Sequence, residues 1–414
     1  MKRSKSDQKI EKSNKIRKEV WSGPNFYLIR KILIQLEKSD KKWQAGQIGN
    51  LGIVIQQTDY DTAGKTELLE EAEYLEKQGL LKIKWLQYGN DIEKVVCRLE
   101  QTGQFYELLG LKSKSEVIGH DKFRVQFWEK MATEDWVRQY YEDLRIRLEK
   151  GIYLQYQEPA GEDLFQCLNA LEKQKEPIYE RVFSAKYMGG SKVLSQELKD
   201  CIVRIARKYH PMVDEAMGRQ EVLSQLYLED YSQELAVKGS LNICLQGTEI
   251  DLEPFIYGLV LNTDTINATE ISVHQHIKKI ITVENKANFY SMPIEKGTLI
   301  IFTHGFLSPR ERKFLCKLYA TIKSDRTIQY FHTGDLDYGG IRIFRYIREN
   351  IFPDIRPLQM DADWYECYVQ YGYKMKPETL KKLEAMRGTE PLMEELIEHI
   401  LKGKMGIEQE CFLI

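Results

Sequence analysis

The sequence predicts an α+β protein built from several domains. Its 414 residues correspond to two to four domains, at roughly 100–200 residues per domain. Residues 26–110 show the pattern of helices followed by a β-hairpin, whereas residues 268–414 alternate strands and helices. Strands separated by helices join a mostly parallel sheet through right-handed crossovers. A hydrophobic content of 43% is enough for the cores of such domains.

The bulk composition restricts the classes of function. A net charge of −2 argues against a uniformly basic nucleic-acid binder but leaves room for local basic patches. The seven cysteines are scattered without a Cys-x-x-Cys pair, so neither a zinc site nor a disulfide framework is expected. No apolar run reaches the ~18 residues of a membrane span, and the charged N-terminus does not resemble a signal peptide. We therefore expect a soluble, cytoplasmic protein.

Residues 1–112 are predicted to form a basic tail and a winged-helix-like domain. The first 20 residues carry eight Lys and Arg against three acids, and they are either a solvated tail or an arm that contacts DNA. Apolar residues at helical spacing follow, and then residues 81–86 and 93–99 alternate around a Gly-Asn-Asp turn. Helices before a hairpin are the order of a winged helix, a module that serves DNA contact or protein contact.

A connector and a second compact domain are predicted next. Residues 113–175 carry helical runs rich in charge with few turn signals, as expected of an exposed helical arm. Residues 176–267 contain a helix through Leu198, Ile202 and Ile205 and end in two short strands.

Three basic residues near the start of this second domain are candidates for DNA contact. Arg181, Lys186 and Lys192 lie beside glycines, which allow close approach to a phosphate backbone. The alternative is a surface loop with ordinary charge.

Four strands are predicted within residues 268–414. They cover residues 278–283, 298–303 and 327–332, with a short fourth strand near residues 356–360. Helices are expected from about Ser308 and over Ile341–Asn350. A polar residue follows each strand: Glu284, then His304, then Asp335 with Asp337, then Asp361 with Asp363.

Glu284, Asp335 and Asp337 form the candidate catalytic centre. They follow strands of the predicted sheet, at the edge where open α/β sheets bind ligands. Asp335 and Asp337 are separated by one residue, which places both side chains on the same face of an extended segment. Clustered carboxylates repel one another unless a cation neutralises them, and Mg²⁺ or Mn²⁺ is the natural occupant. Because these ions usually act with phosphates, the three acids predict metal-dependent chemistry on a phosphate.

Other polar residues near these strand ends have two interpretations each. Arg310 and Arg312, near a helix N-terminus, are candidates for holding a DNA phosphate, or else form ion pairs with neighbouring acids. His304 and His332 are candidate general bases, or else packing and hydrogen-bonding groups. The sequence contains no P-loop, so we do not expect ATP hydrolysis by this chain.

The ordered motifs of residues 175–414 resemble a known family. Glu284, Asp335 and Asp337 look like the Toprim metal site shared by topoisomerases and several nucleases. The segment Thr303-His304-Gly305 with its following helix resembles the topoisomerase VI A subunit. The whole set resembles the JetD family, the nuclease subunit of the Wadjet anti-plasmid defence system. The matching motifs are Glu180–Ser184, Ser191-Lys192, Lys238-Gly239, Val283–Asn285, His304–Phe306, Gly334–Asp337 and Glu408–Glu410.

The resemblance implies a DNA endonuclease that depends on Mg²⁺ or Mn²⁺. It implies that residues 176–267 are a CAP-like DNA-binding domain and that residues 268–414 are a Toprim catalytic domain. Members of the family act as dimers with an SMC-like ATPase, a kleisin and a small winged-helix partner that extrude circular DNA. The expected substrate is therefore double-stranded plasmid DNA.

Two other interpretations stay open from the sequence. The topoisomerase relatives cleave DNA with a tyrosine, and Tyr209, which follows Arg207-Lys208, has the best position for such a transesterase. The second is a DNA-binding subunit without activity, against which the clustered acids argue. The chain also has Tyr338-Gly339-Gly340 where the family often has one glycine and an aromatic residue, which bears on phosphate contacts there.

Overall fold

The described chain forms two compact units of mixed helices and strands. The computed structural model describes residues 26–38, 48–86, 89–152, 154, 160–230 and 234–414. The first unit comprises described residues up to Phe127 and again from Asp143 to 154, and the second comprises Trp128–Glu142 and the described residues from 160 onward. The predicted α+β class is confirmed. The predicted basic tail, residues 1–20, lies outside the described residues.

The first unit contains the predicted hairpin and one strand that the sequence pattern did not reveal. β2 and β3 pair antiparallel, as predicted, and β1 pairs with the other edge of β3. The elements are α1 (Tyr27–Lys38), β1 (Asn50–Val54), α2 (Gln57–Ala63), α3 (Lys65–Lys77), β2 (Leu81–Trp85), β3 (Ile92–Arg98), a 3₁₀ turn (Leu99–Gln101) and α4 (Thr102–Leu108). β1 is short and carries Gly52 at its centre, so its alternating apolar signal is weak.

The start of α1 depends on a buried carboxylate from α3. Glu71 accepts hydrogen bonds from the backbone N–H groups of Leu28 and Ile29, at 3.0 and 3.1 Å. These N–H groups belong to the first turn of α1, which has no partner for them within the helix. Burial raises the pKa of Glu71, and the bonded N–H groups act against that shift. The Glu71 side chain therefore joins α3 to α1 and accepts hydrogen bonds from N–H groups at the start of α1.

The segment predicted to be a helical arm does form helices. These are α5 (Lys114–Met131), α6 (Asp135–Glu149) and α7 (Ala160–Leu171). The division between the two units passes through α5 and α6.

After α7, the second unit continues with short elements around the helix predicted through Leu198, Ile202 and Ile205, and this helix is confirmed. These elements are β4 (Ile178–Tyr179), α8 (Glu180–Tyr187), α9 (Gln196–Tyr209), α10 (Arg219–Gln225) and β5 (Leu228–Glu229). An antiparallel sheet of order β10-β7-β8 follows, formed by β7 (Asn242–Leu245), β8 (Thr248–Asp251) and β10 (Thr269–Ile271).

A mostly parallel six-stranded sheet carries the predicted centre. Its order is β14-β13-β11-β12-β6-β9, and β6 is antiparallel to both of its neighbours, β12 and β9. The strands are β6 (Glu234–Gly239), β9 (Leu259–Asn262), β11 (Lys279–Val283), β12 (Thr298–Phe302), β13 (Gln329–Thr333) and β14 (Arg356–Pro357). The four strands predicted after residue 268 are present, although β14 is shorter than expected. β6 and β9 come from residues assigned to the preceding domain.

The remaining elements cover the sheet and its carboxyl edge. They are α11 (Thr263–Ala268), α12 (Lys286–Ser291), α13 (Pro309–Ile322), α14 (Tyr338–Asn350), α15 (Ala362–Tyr368), a 3₁₀ turn (Val369–Tyr371), β15 (Tyr373–Lys374), α16 (Pro377–Glu384), α17 (Glu394–Gly403), β16 (Met405–Gly406) and a 3₁₀ turn (Gln409–Leu413). α13 begins where predicted because Ser308 and Glu311 form a capping box before Pro309. Among the described helices, none is both long and apolar enough to cross a bilayer.

Replacing Glu71 by Ala should loosen the start of α1. The change leaves two N–H groups without their acceptor and is expected to cost ~1–3 kcal/mol of local stability. Hydrogen exchange of residues 27–38 in the full chain would measure this loss. Glu70→Ala, at the exposed neighbouring position, should change the same amides by less than about 0.5 kcal/mol. Equal protection in the two variants would contradict this role of Glu71.

Candidate metal centre

The structure brings Glu284 and Asp335 together at the carboxyl ends of adjacent strands. β11 and β13 are parallel, with Val283 opposite Thr333, so the next residue of each strand reaches the same edge. The backbone N–H of Glu284 donates to the carbonyl of Thr333 at 3.0 Å, and the N–H of Asp335 donates to Glu284 Oε2 at 3.1 Å. The side chain of Glu284 thus points toward the aspartate segment.

Two glycines allow this approach. A Cβ atom on Gly334 would lie 2.3 Å from Glu284 Oε2, and one on Gly340 would lie 2.1 Å from the carbonyl oxygen of Asp335. Both distances are below van der Waals contact. Gly340 is therefore required where α14 begins, in the part of the motif that departs from the usual family pattern.

Asp337 is held by two hydrogen bonds. Its Oδ1 accepts from the N–H of Gly340 at 2.9 Å, which caps the N-terminus of α14. Its Oδ2 accepts from the hydroxyl of Tyr373 at 2.6 Å. The sequence analysis gave Tyr373 no role, because it lies 36 residues away in the chain. Asp337 therefore lies beside Asp335 with its orientation fixed from two sides.

Two further acids reach the centre from the C-terminal segment. Asp335, Glu408 and Glu410 offer carboxylate oxygens that lie within 4.8 Å of one another, a geometry able to hold a metal ion. Glu408 and Glu410 are exposed. The sequence analysis used them only as part of a family motif. Their spacing, one residue apart as in Asp335 and Asp337, was the signal that could have marked them as ligands.

Gln409 fixes the C-terminal segment against the strand ends. Its backbone N–H donates to Asp335 Oδ1 at 2.7 Å, and its side-chain Nε2 donates to Thr333 Oγ1 at 2.9 Å. Its Oε1 accepts from the N–H of Asn285 at 2.9 Å, and its carbonyl accepts from Asn288 Nδ2 at 2.9 Å. Gln409 is fully buried, so these bonds are shielded from water.

The acids at this edge perturb one another's protonation. Burial is the main cause that raises the pKa of Glu284, with Asp337, Glu221 and Glu408 adding to it. Burial also raises the pKa of Asp335, together with Glu284, Asp337 and Glu408. Without a cation the pair therefore retains protons at a pH where ordinary carboxyl groups have lost them. A crowded set of carboxylate oxygens is the donor set that Mg²⁺ and Mn²⁺ prefer, so the residues present fit such an ion.

His304 lies beside this edge in a constrained conformation. It has a φ of +46°, and its Nε2 lies 2.9 Å from Oε1 of the fully buried Glu311. Burial lowers the pKa of His304, but Glu311 and Glu221 outweigh burial, so the pKa is raised. Glu221 also accepts from the N–H of Phe306 at 2.8 Å, which holds the loop after β12. Glu311 thus orients His304, and Glu311 and Glu221 together favour its charged form.

Comparison with known proteins agrees with the motifs. Residues 246–413 match the family described as Wadjet protein JetD, C-terminal. The chain is also 28% identical over 369 residues to the Wadjet protein JetD of Bacillus cereus (strain Q1), and the match covers 86% of this chain and 88% of that protein. Over most of its length the chain is therefore similar to Wadjet protein JetD. The resemblance inferred from the sequence is thereby confirmed.

The other candidate histidine is enclosed in the core. His332 has no exposed surface, and its Nδ1 lies 2.9 Å from Thr282 Oγ1. Burial lowers its pKa to about 3, which keeps the ring neutral. A role as general base stays a prediction for both histidines, but only His304 has partial exposure.

The residues predicted to bind DNA occupy two different environments. Arg181, Lys186 and Lys192 are exposed, on α8 and the loop after it. Arg310 forms an ion pair with Glu176 and a hydrogen bond with Asn267. Arg312 donates to Gln225 Oε1 at 2.9 Å and to the hydroxyl of Tyr346 at 2.6 Å. Both arginines are therefore engaged within the protein, Arg310 through the kind of ion pair that the sequence gave as the alternative and Arg312 through neutral partners.

Tyr209, the candidate nucleophile of the transesterase alternative, is the last residue of α9. Its hydroxyl lies 2.7 Å from the Lys208 ammonium, and its ring packs edge-on against Tyr140.

The raised pKa values predict an unusual pH dependence for the metal-free protein. The folded state binds more protons than the unfolded state, so stability should fall as pH rises through the raised pKa values of Glu284 and Asp335. Between about pH 6 and about pH 8.5, the thermal midpoint of a Glu284→Gln, Asp335→Asn double variant should fall less than that of the wild type. Added Mn²⁺ should raise the wild-type midpoint most at the higher pH.

The control is Asp361→Asn, because Asp361 is an exposed helix cap whose function Asn can replace. This variant should follow the wild type at each pH. Parallel pH curves for the wild type and the double variant would contradict the assignment of protons to this pair.

Proposed function

We propose that this chain is the metal-dependent DNA endonuclease subunit of a Wadjet-type SMC complex. In this proposal it cleaves closed circular plasmid DNA by phosphodiester hydrolysis. The observation that carries the proposal is the crowding of Glu284, Asp335, Glu408 and Glu410 at one sheet edge, where like charges are costly unless a cation joins them. The similarity to Wadjet protein JetD supports membership of such a complex.

The chain's own residues would hold the metal ion and orient the carboxylates that bind it. Asp335 with Glu408 and Glu410 would hold Mg²⁺ or Mn²⁺, with Glu284 and Asp337 beside them. The ion would supply charge neutralisation at the phosphate and lower the pKa of the attacking water. Gln409 and Tyr373 fix the orientation of Asp335 and Asp337, so that the carboxylates need not reorganise when DNA binds.

Hydrolysis by water is supported over attack by a tyrosine. Tyr373 touches the acidic centre, and its pKa is raised by burial and by the neighbouring Asp337. A raised pKa disfavours the phenolate that a tyrosine nucleophile needs. Tyr209 remains the positional candidate for the transesterase alternative.

DNA binding and assembly complete the proposal. The helix–strand–helix–helix–hairpin order of the first unit supports its assignment as a winged-helix-like domain. For residues 176–414 we propose a CAP-like domain followed by a Toprim domain. Arg181, Lys186 and Lys192 are exposed and available to phosphates.

A homodimer would place one metal centre at each strand of the duplex, because the two-fold symmetry of the protein matches that of the DNA backbone. An SMC-like ATPase, a kleisin and a small winged-helix protein are the proposed partners.

Removing one carboxylate should separate cleavage from binding. Asp335→Asn and Glu284→Gln are each expected to reduce nicking of closed circular plasmid at least ~100-fold, because metal binding and charge stabilisation are lost. DNA binding in EDTA should stay near the wild-type value, since the substitutions remove negative charge. The assay uses plasmid with partner proteins, ATP and Mg²⁺, and Asp361→Asn is the matched control. Wild-type nicking by either centre variant would show that these acids are not the catalytic ones.

The cleaved ends should be free of protein. We expect plasmid cut by the wild type to stay in the aqueous phase after denaturing phenol extraction, and Tyr209→Phe to cut at a comparable rate. Retention of DNA with the protein in the wild type but not in Tyr209→Phe would support the transesterase instead.

A further inference from the structure

A short basic ribbon borders the acidic centre. β15 and β16 pair antiparallel, with Tyr373 opposite Gly406 and Lys374 opposite Met405. The backbone pairing continues beyond the strands, because the N–H of Met375 donates to the carbonyl of Lys404 at 3.1 Å. The chain then runs from Met405–Gly406 directly into Ile407 and the acids Glu408 and Glu410. We call Lys374, Lys376 and Lys404 the ribbon lysines.

The two faces of the ribbon are distinct. Tyr373 and Met375 face the protein: Tyr373 donates to Asp337, and Met375 is buried. Side chains alternate along an extended chain, so Lys374 and Lys376 face the opposite way, and both are exposed. Lys404, which follows α17 in the left-handed conformation and lies opposite Met375, is exposed as well. Lys374 and Lys376 thus place positive charge on the outer face, while the inner face contacts the centre.

The ribbon is closely packed where it meets the centre. A Cβ atom on Gly406 would lie 2.7 Å from Cζ of Tyr373, and one on Gly372 would lie 2.7 Å from the carbonyl oxygen of Gly406. Either addition would push Tyr373 away from Asp337. The two glycines therefore allow the ribbon to approach the acids.

The backbone of Lys374 lies a short and defined distance from the acids. Ile407 pairs with Leu336 on one side, and its neighbour Gly406 pairs with Tyr373 on the other. Two strand spacings, about 10 Å, therefore separate the backbone of Lys374 from that of the Asp335–Asp337 segment. A lysine side chain at this distance reaches the phosphates next to one that lies at the acids.

We propose that the ribbon lysines bind the DNA backbone beside the scissile phosphate. This inference rests on the proposed nuclease function and identifies the surface that holds its substrate. Lys382, also nearby, is paired with Glu215 at 3.1 Å and lies over the ring of Tyr338. Among the described residues, no ion pair involves the ribbon lysines. Their charges therefore remain available to phosphates.

The matched control is a second set of three exposed lysines, at the far edge of the six-stranded sheet. Lys278 and Lys296 lie at the amino ends of β11 and β12, and Lys323 lies at the C-terminal end of α13. These positions belong to the edge opposite the acidic centre, because parallel strands and their crossover helices run in opposite directions. Replacing three lysines in either set changes the net charge equally.

The experiment measures binding of a duplex by the full chain in EDTA at several salt concentrations. We expect the triple variant Lys374→Ala, Lys376→Ala, Lys404→Ala to bind about tenfold more weakly at ~0.1 M salt. Its slope of log K against log salt should fall by about 0.9 for each lost phosphate contact. The control triple variant should keep the wild-type slope. Equal slopes for the wild type and the ribbon variant, or equal loss in both variants, would overturn the proposal.

A cleavage assay in the reconstituted system distinguishes this inference from the proposed function. The ribbon variant should need more plasmid for half-maximal nicking and keep its rate at saturation, whereas Asp335→Asn loses the rate itself. A wild type that never nicks would refute the nuclease function and leave the binding result to be judged separately. Loss of nicking with unchanged DNA binding would assign the ribbon to a partner protein and would also overturn the proposal.

Discussion

Repulsion among carboxylates is the constraint that the C-terminal half of the structure must satisfy. Glu284 and Asp335 lie at adjacent strand ends, and Glu408 and Glu410 approach from a third segment. Burial strengthens the repulsion, which is why the pKa values of Glu284 and Asp335 are raised. Such a group is stable only with protons or a cation. The residues around these acids therefore serve to keep the acids together.

Gln409 is one of these residues, and it acts through four hydrogen bonds. It is uncharged, yet it offers a donor to Asp335 and a donor to Thr333 while it accepts from Asn285 and Asn288. Its neighbours in sequence are the two exposed acids. A neutral, fully bonded anchor between two charged residues brings carboxylates to the centre without adding charge to the core. This arrangement explains why the C-terminal segment is part of the centre.

The sequence predicted the local elements well and the long-range pairings poorly. The four strands that carry the polar residues, and the helix start at Ser308, follow from apolar runs and capping signals near in the chain. The pairing of β6 with β12 and the placement of Gln409 depend on contacts between distant segments, which no local pattern encodes. The same reason hid Tyr373, whose spacing from Asp337 carries no periodic signal.

The acidic centre and the basic ribbon together determine the charge that an approaching DNA backbone meets. A DNA backbone must approach a surface where four acids converge, and a single divalent ion does not cancel four negative charges. Lys374, whose backbone lies about 10 Å away, offsets part of the remainder without entering the centre, where a lysine would pair with the acids and displace the cation. The alternation of the extended chain achieves this separation, because Tyr373 turns inward to Asp337 while Lys374 turns outward. One short ribbon thus orients a carboxylate on one face and presents positive charge on the other.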